Sequence, residues 1–237
     1  MSLVAVRRSL VVPQQARFSN LPGLVLWSEA KRIEGLAIGD AIGTWADLSG
    51  LGKDHTQTTA AAKPTLQVVN GRYVVRTEGT DDFLTRADDA DFDFGTGDFT
   101  IIVVLSTSDT DAMVFQKGDT GGWAYYIGGA TNQPQFGVGG ANNISGTALN
   151  DGTATLMVGG RIGTGCEFWR NGISQGTFVA AGTVSSASAS AIGANTAGGS
   201  NAAADYYAVG LLNVGPTLDV RNLIRAIVSR DYGIFVS

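Results

Sequence analysis

The sequence predicts an all-β fold, a two-sheet antiparallel sandwich closed by one C-terminal helix. Three observations point there. Short runs rich in β-branched and aromatic residues recur along the chain, each bounded by Gly, Asp, Asn or Thr. Glycine is frequent, at 33 of 237 residues, and charged residues make up only 16%, which suits many short strands joined by glycine turns. Only one segment, near the C-terminus, carries a helical period. Sandwiches of this length are routinely single domains, and 44% apolar residues can fill a sizeable core.

The elements follow in order. Residues 1–20, "MSLVAVRRSLVVPQQARFSN", carry Arg7, Arg8 and Arg17 and no acid, and read as an extended arm ahead of a domain over 21–237. Pro13 cannot donate to a ladder, so a strand in the arm should end there or lie at an edge. "LVLW" (24–27) is the first buried strand. "RYVVRT" (72–77), "FTIIVVLS" (99–106), "AMVFQK" (112–117), "WAYYIG" (123–128) and "ATLMVGGRI" (154–162) follow. "CEFWRNGISQGTF" (166–178) predicts a hairpin, because Asn171-Gly172 suits a two-residue turn whose central residues both need positive φ. A strand around "ASAIGA" is expected within the Ala/Gly/Ser-rich stretch 180–204, and "AVGLLNV" (208–214) is the last.

The helix is predicted over 217–232. Val220, Leu223, Ile224, Ile227 and Val228 fall on one face, with Thr217 as N-cap and Gly233 as C-cap. Arg221, Arg225 and Arg230 lie off that stripe, as a solvated face.

Charge and composition exclude several functions. The net charge of −5 and scattered basic residues argue against nucleic-acid binding. No stretch approaches the roughly 20 apolar residues of a membrane span. Arg7 and Arg8 interrupt the N-terminal apolar run, so a signal peptide is not expected. One cysteine, Cys166, allows no internal disulfide and reads as a small buried hydrophobe. One histidine, His55, cannot build a His-rich zinc site and reads as a loop residue.

Candidate chemistry is sparse. "WADLSGLGKDH" (45–55) fails as a calcium loop: counted from Asp47, Leu51 takes position 5 and Thr58 position 12. Its expected role is a tight turn, with Asp47 and Ser49 accepting backbone N–H bonds. "RADDADFDFGTGD" (86–98) places acids at positions 1, 3 and 5 from Asp89, but Phe94 and Thr100 stand where Gly and Glu are needed, so it reads as a solvated loop. The four glutamates, Glu29, Glu34, Glu78 and Glu167, form no closely spaced acid motif of a glycosidase. No nucleophile elbow, phosphate loop or triad is visible. No catalytic residue is expected. Trp45, Trp123, Tyr125 and Trp169 are candidate sugar platforms, or else core. In a strand, Trp123 and Tyr125 share one face and Tyr126 takes the other.

Four segments in order carry a resemblance: "PGLVLW" (22–27), "DAIGTWADLSGLGKDHTQ" (40–57), "PTLQVVNGRYVVRTEGTDDFLT" (64–85) and "FGTGDFTIIVVL" (94–105). Together with "NLIRAIVSRDYGI" near the end, they resemble laminin-G-like, concanavalin A-like jelly-roll domains over about residues 21–237. The chain departs from that pattern at Leu51, Lys53, Glu78 and Val209. The resemblance implies a jelly roll. It implies calcium, if any, at Asp81 and Asp82, whose alternative role is turn capping. It also implies a non-enzymatic virion component, a phage capsid decoration or fibre part, with a carbohydrate-binding lectin-like module as the alternative and a glycoside hydrolase as the third reading. The expected partners are other virion proteins or further copies of the chain, reached through the arm and Arg7, Arg8 and Arg17, and host surface glycans.

Overall fold

The computed structural model describes residues 17–118, 121–128, 133–144, 148–149 and 151–234. Its strands begin with β1 (Leu24–Glu29), β2 (Thr44–Trp45), β3 (His55–Thr56), β4 (Thr65–Val69), β5 (Arg72–Glu78) and β6 (Leu84–Arg86). Next come β7 (Phe99–Thr107), β8 (Ala112–Lys117), β9 (Trp123–Gly128), β10 (Gln133–Val138), β11 (Ala141–Ile144) and β12 (Thr155–Ile162). Then β13 (Gly165–Arg170), β14 (Ile173–Val179), β15 (Ser190–Ile192) and β16 (Ala203–Leu212) precede helix α1 (Leu218–Tyr232).

The strands form two antiparallel sheets. The first runs β14-β13-β12-β7-β16-β5-β4, with β1 also on β16. The second runs β11-β10-β9-β8-β15-β6-β3-β2. Strand β16 is long enough to serve two partners along one edge. Its start pairs with β5, from Ala203↔Glu78 to Tyr206↔Val75, and its end with β1, from Ala208↔Glu29 to Leu212↔Leu24.

One core lies between the sheets and a second between the first sheet and α1. This explains the unbroken apolar run of β7, all nine residues of which are buried. Phe99, Ile101, Val103 and Leu105 enter the inter-sheet core, while Ile102 and Val104 lie under the helix.

Helix α1 has the expected caps. The Thr217 side chain accepts from the Val220 N–H, and Gly233 takes φ 58° with its N–H on the Ser229 carbonyl. Val220, Ile224, Ile227, Val228 and Tyr232 are its buried face. Leu223, expected in the same stripe, is only half-buried and packs at the margin. The arginines are not simply solvated either. Arg221 stacks on the Trp169 ring at 4.0 Å and donates to the Pro216 carbonyl. The helix end is tied to β1, with Tyr232 Oη donating to Glu29 Oε1 (3.2 Å) and Lys31 Nζ to Asp231 Oδ2 (2.8 Å).

The predicted hairpin is present, with Asn171 at φ 49° and Gly172 at φ 82°. Phe18 is buried and stacks on Trp27, so the packed body reaches N-terminal of residue 21. Arg7 and Arg8 lie outside the described residues; Arg17 is exposed beside a charged cleft.

Candidate functional site

The outer face of the second sheet, away from both cores, presents a shallow groove of about 290 Å³ across β8, β9 and β10. Register builds it. Met113, Tyr126 and Gln135 form one cross-strand row; Gln116, Ala124 and Gly137 form the next. Alternation sends Trp123, Tyr125 and Ile127 into the core, so Ala124 and Tyr126 face out.

Glycine gives the groove its depth. A methyl on Gly137 would stand 3.7 Å from Tyr126 Cε1, which places the ring against that strand. A methyl on Gly128 would stand 3.5 Å from Tyr126 Cδ2, Gln135 Nε2 and Asp111 Oδ1, so an aromatic ring, an amide and a carboxylate converge there. Gln135 Nε2 donates to the Gly128 carbonyl at 3.2 Å, which fixes the amide. At the other end, a side chain on Gly122 would overlap the Lys117 carbonyl, so only glycine fits. An apolar ring face beside a few fixed polar groups is the composition of a small-molecule site.

The aromatics chosen from the sequence stand elsewhere. Trp45, Trp123 and Tyr125 are 0–1% exposed in the inter-sheet core and offer a ligand no ring face. Trp123 Nε1 donates to the Phe92 carbonyl and Tyr125 Oη to the Ile101 carbonyl, so their polar ends are satisfied inside. Trp169 lies under α1 beneath Arg221. The structure therefore places all four among core or helix-packing residues, the other role the sequence allowed them. Tyr126, the other side of the same alternation, is the aromatic that reaches the surface.

A larger cleft of about 1010 Å³ lies beside α1, but its charges answer one another. Lys31 bridges Glu29 and Asp231, Arg32 meets Glu29, and Arg230 meets Asp231.

The two calcium candidates stand in different surroundings. Asp82 is buried and accepts the Glu78 N–H at 3.2 Å, while Asp81 is exposed. Burial pushes the Asp82 carboxyl up, and the Glu78 and Asp81 charges add to this against the Glu78 N–H bond. Among the described residues, no three His, Cys, Asp or Glu side chains gather as a metal would require. Asp47 behaves as its spacing predicts. Its carboxylate accepts from the N–H groups of Trp27, Ser49 and Lys53 and from the Ser49 hydroxyl at 2.6–3.0 Å. Burial opposes its charge, but these bonds outweigh it and hold the carboxyl below its ordinary range.

The acidic tract is not a solvated loop. Lys53 Nζ sits 2.8 Å from both oxygens of Asp89 and 2.6 Å from Asp91. Arg86 donates to Asp89 as well. Burial resists the Asp89 charge; the bonds from Lys53, the Asp91 N–H and Arg86 prevail and lower its pKa to about 2. Lys117, fully buried, places Nζ 2.5 Å from Asp88 Oδ1, 3.5 Å from Asp93 Oδ1, and 2.5 and 2.7 Å from the Ser186 and Ser188 carbonyls. Two lysine ammonium groups thus pair with the acids of this tract.

His55 is likewise no loop residue. It sits in β3 fully buried, stacks on Phe92, meets Phe115 edge-on and bonds Ser190 Oγ through Nε2 at 3.0 Å. Burial, with the Arg86 charge adding to it, lowers its pKa to about 3. Cys166 is buried as expected, and burial raises its thiol to about 11.

No family model and no curated protein matches the chain. Solved structures do. The binding domain of Paraclostridial Mosquitocidal Protein 1 superposes with TM-score 0.63 at 13% identity, over 88% of this chain and 52% of that one. An arabinofuranosidase complexed with arabinofuranosyl-alpha-1,2-xylobiose gives 0.61 at 15%, over 81% and 51%. A Trypanosoma rangeli sialidase in complex with sialic acid gives 0.57 at 13%, over 89% and 34%. The chain spans about half or a third of the length of these proteins. At such identity the likeness establishes the two-sheet antiparallel sandwich and nothing finer.

Proposed function

We propose that this chain is a non-catalytic carbohydrate-binding module whose ligand lies on the outer face of the second sheet. The observation that carries the reading is Tyr126, an outward aromatic among glycines, with Gln135 and Asp111 converging beside it. Two of the structural neighbours are glycosidases and one is a toxin's binding domain, which agrees with the reading without specifying a sugar. Glycoside hydrolysis needs two carboxyl groups flanking the bond, and the described residues that line the groove include no carboxylate. Tyr126→Ala should weaken retention in polysaccharide-loaded gels by about 2 kcal/mol, some thirtyfold in Kd, at unchanged melting temperature. No reducing sugar should be released from the retained polymer. Retention that survives Tyr126→Ala would reject this face.

Display on a virion is our second reading, and it rests on the N-terminal arm. Arg17 is exposed where the chain enters the packed body. Truncation that keeps Phe18 and Trp27 together should start after residue 16. Deleting residues 1–16 is expected to leave the melting temperature within a few degrees and to reduce the oligomer size seen by light scattering. Unchanged assembly with a large loss of stability would mean that the arm serves its own fold.

A further inference from the structure

We infer that the Tyr126 groove takes an uncharged saccharide of one or two rings and rejects acidic sugars; this rests on the carbohydrate reading above. The inference comes from what lines the groove. Met113, Gln116, Ala124, Tyr126, Gly137 and Ala141 carry no charge, and the remaining lining is Trp123 and glycine. A sialic acid, uronate or sulfate would lose its hydration against this uncharged lining, with no cation among the described residues that form it. The ammonium nearest in sequence, on Lys117, is committed to Asp88, Ser186 and Ser188 on the inner side of its strand.

Size sets the second limit. At about 290 Å³ the groove lies at the small end of ligand sites, room for roughly one or two sugar rings. A neutral pyranose with one flat C–H face can lie on Tyr126.

The test is calorimetric titration of the full chain with neutral glucosides, galactosides and mannosides, singly and as disaccharides. Sialyllactose, a glucuronate disaccharide and a heparin oligosaccharide complete the panel. Expected is binding of a neutral sugar about tenfold or more tighter than any acidic one, with little gain beyond the disaccharide. Gly137→Leu should abolish that binding by filling the groove. The backbone there is not in the positive-φ region, and a first methyl meets its neighbours at ordinary contact distances of 3.6–3.9 Å, so folding should survive; a melting curve checks it. Should Gly137→Leu fail to fold, Ala124→Lys takes its place, with neutral binding weakened and acidic sugars favoured. An acidic sugar bound in preference by the wild-type chain, and lost in Tyr126→Ala, overturns the charge inference and leaves the site standing. Steady gain in affinity up to long oligosaccharides overturns the size limit. No saccharide bound at millimolar concentration, or binding indifferent to Tyr126→Ala, overturns both the inference and the reading beneath it.

Discussion

Lys117→Met is expected to destabilise the fold by about 3–4 kcal/mol, read as a drop in urea midpoint at constant slope. Methionine replaces the stem but not the ammonium, which makes four contacts from a fully buried position. Its loss leaves the Ser186 and Ser188 carbonyls without the ammonium they accept from, and the Asp93 carboxylate with the Ser186 N–H but no cation. Removing one member of a buried ionic set typically costs about 3–5 kcal/mol. The lower part of that range applies, because the Asp88 side chain is 46% exposed and can rehydrate. For the same reason Asp88→Asn should cost about 1 kcal/mol or less. A Lys117→Met protein within about 1 kcal/mol of wild type would show that water reaches the site and that the lysine does not organise it.

Acid should destabilise the protein well before its carboxylates titrate. His55 is held neutral, with a pKa near 3 in the folded state against an ordinary value of 6.5. Between those two values the unfolded chain carries a proton that the folded chain refuses. Stability is therefore full above pH 6.5 and falls as pH drops toward 3, by up to about 1.4 kcal/mol per pH unit. At pH 4.5 the loss should reach about 2–3 kcal/mol. The chain has one histidine, so its imidazole proton resonances are unique, and they should not move between pH 8 and 4.5. Whatever its own stability, His55→Gln should flatten the pH dependence over 6.5–4.5. An imidazole that titrates near 6.5, or a pH slope retained in His55→Gln, would refute the mechanism.

How much of this could be read from the sequence depended on the distance over which each residue is explained. Strands β7, β8 and β9 announce themselves through their own apolar residues, and the Asn171-Gly172 turn and α1 are equally local. Strands β2, β3 and β6 are two or three residues long and mostly polar. Pairing makes them strands: Thr44 faces Thr56, and Thr56 faces Thr85. His55 looked like a loop residue without a partner because its partner, Ser190, lies 135 residues away. The acidic tract looked solvated because Lys53 and Lys117, which neutralise it, come from two distant segments. Alternation in "WAYYIG" split the aromatics correctly into two faces. It could not say which face was core, since the facing sheet decides that: Tyr125 Oη reaches the Ile101 carbonyl of β7.

The double duty of β16 bears on how the protein is made. Among the first sheet's strands it is the last in sequence, yet it stands in the interior of that sheet, between β7 on one side and β5 and β1 on the other. Strand β1 therefore leaves the ribosome with its pairing edge open and waits for nearly the whole domain to be translated, roughly 10–40 s at ~5–20 residues per second. During that interval the sheet exists as separate pieces, with apolar strand edges of the kind that chaperones cover and aggregates recruit. Completion of the first sheet thus waits for β16, and is slow for a chain whose pairings are so long in range. A ribosome that stops before residue 203 releases a sheet missing an interior strand, not one merely trimmed at its border, so premature termination yields material for proteolysis and no shortened working form.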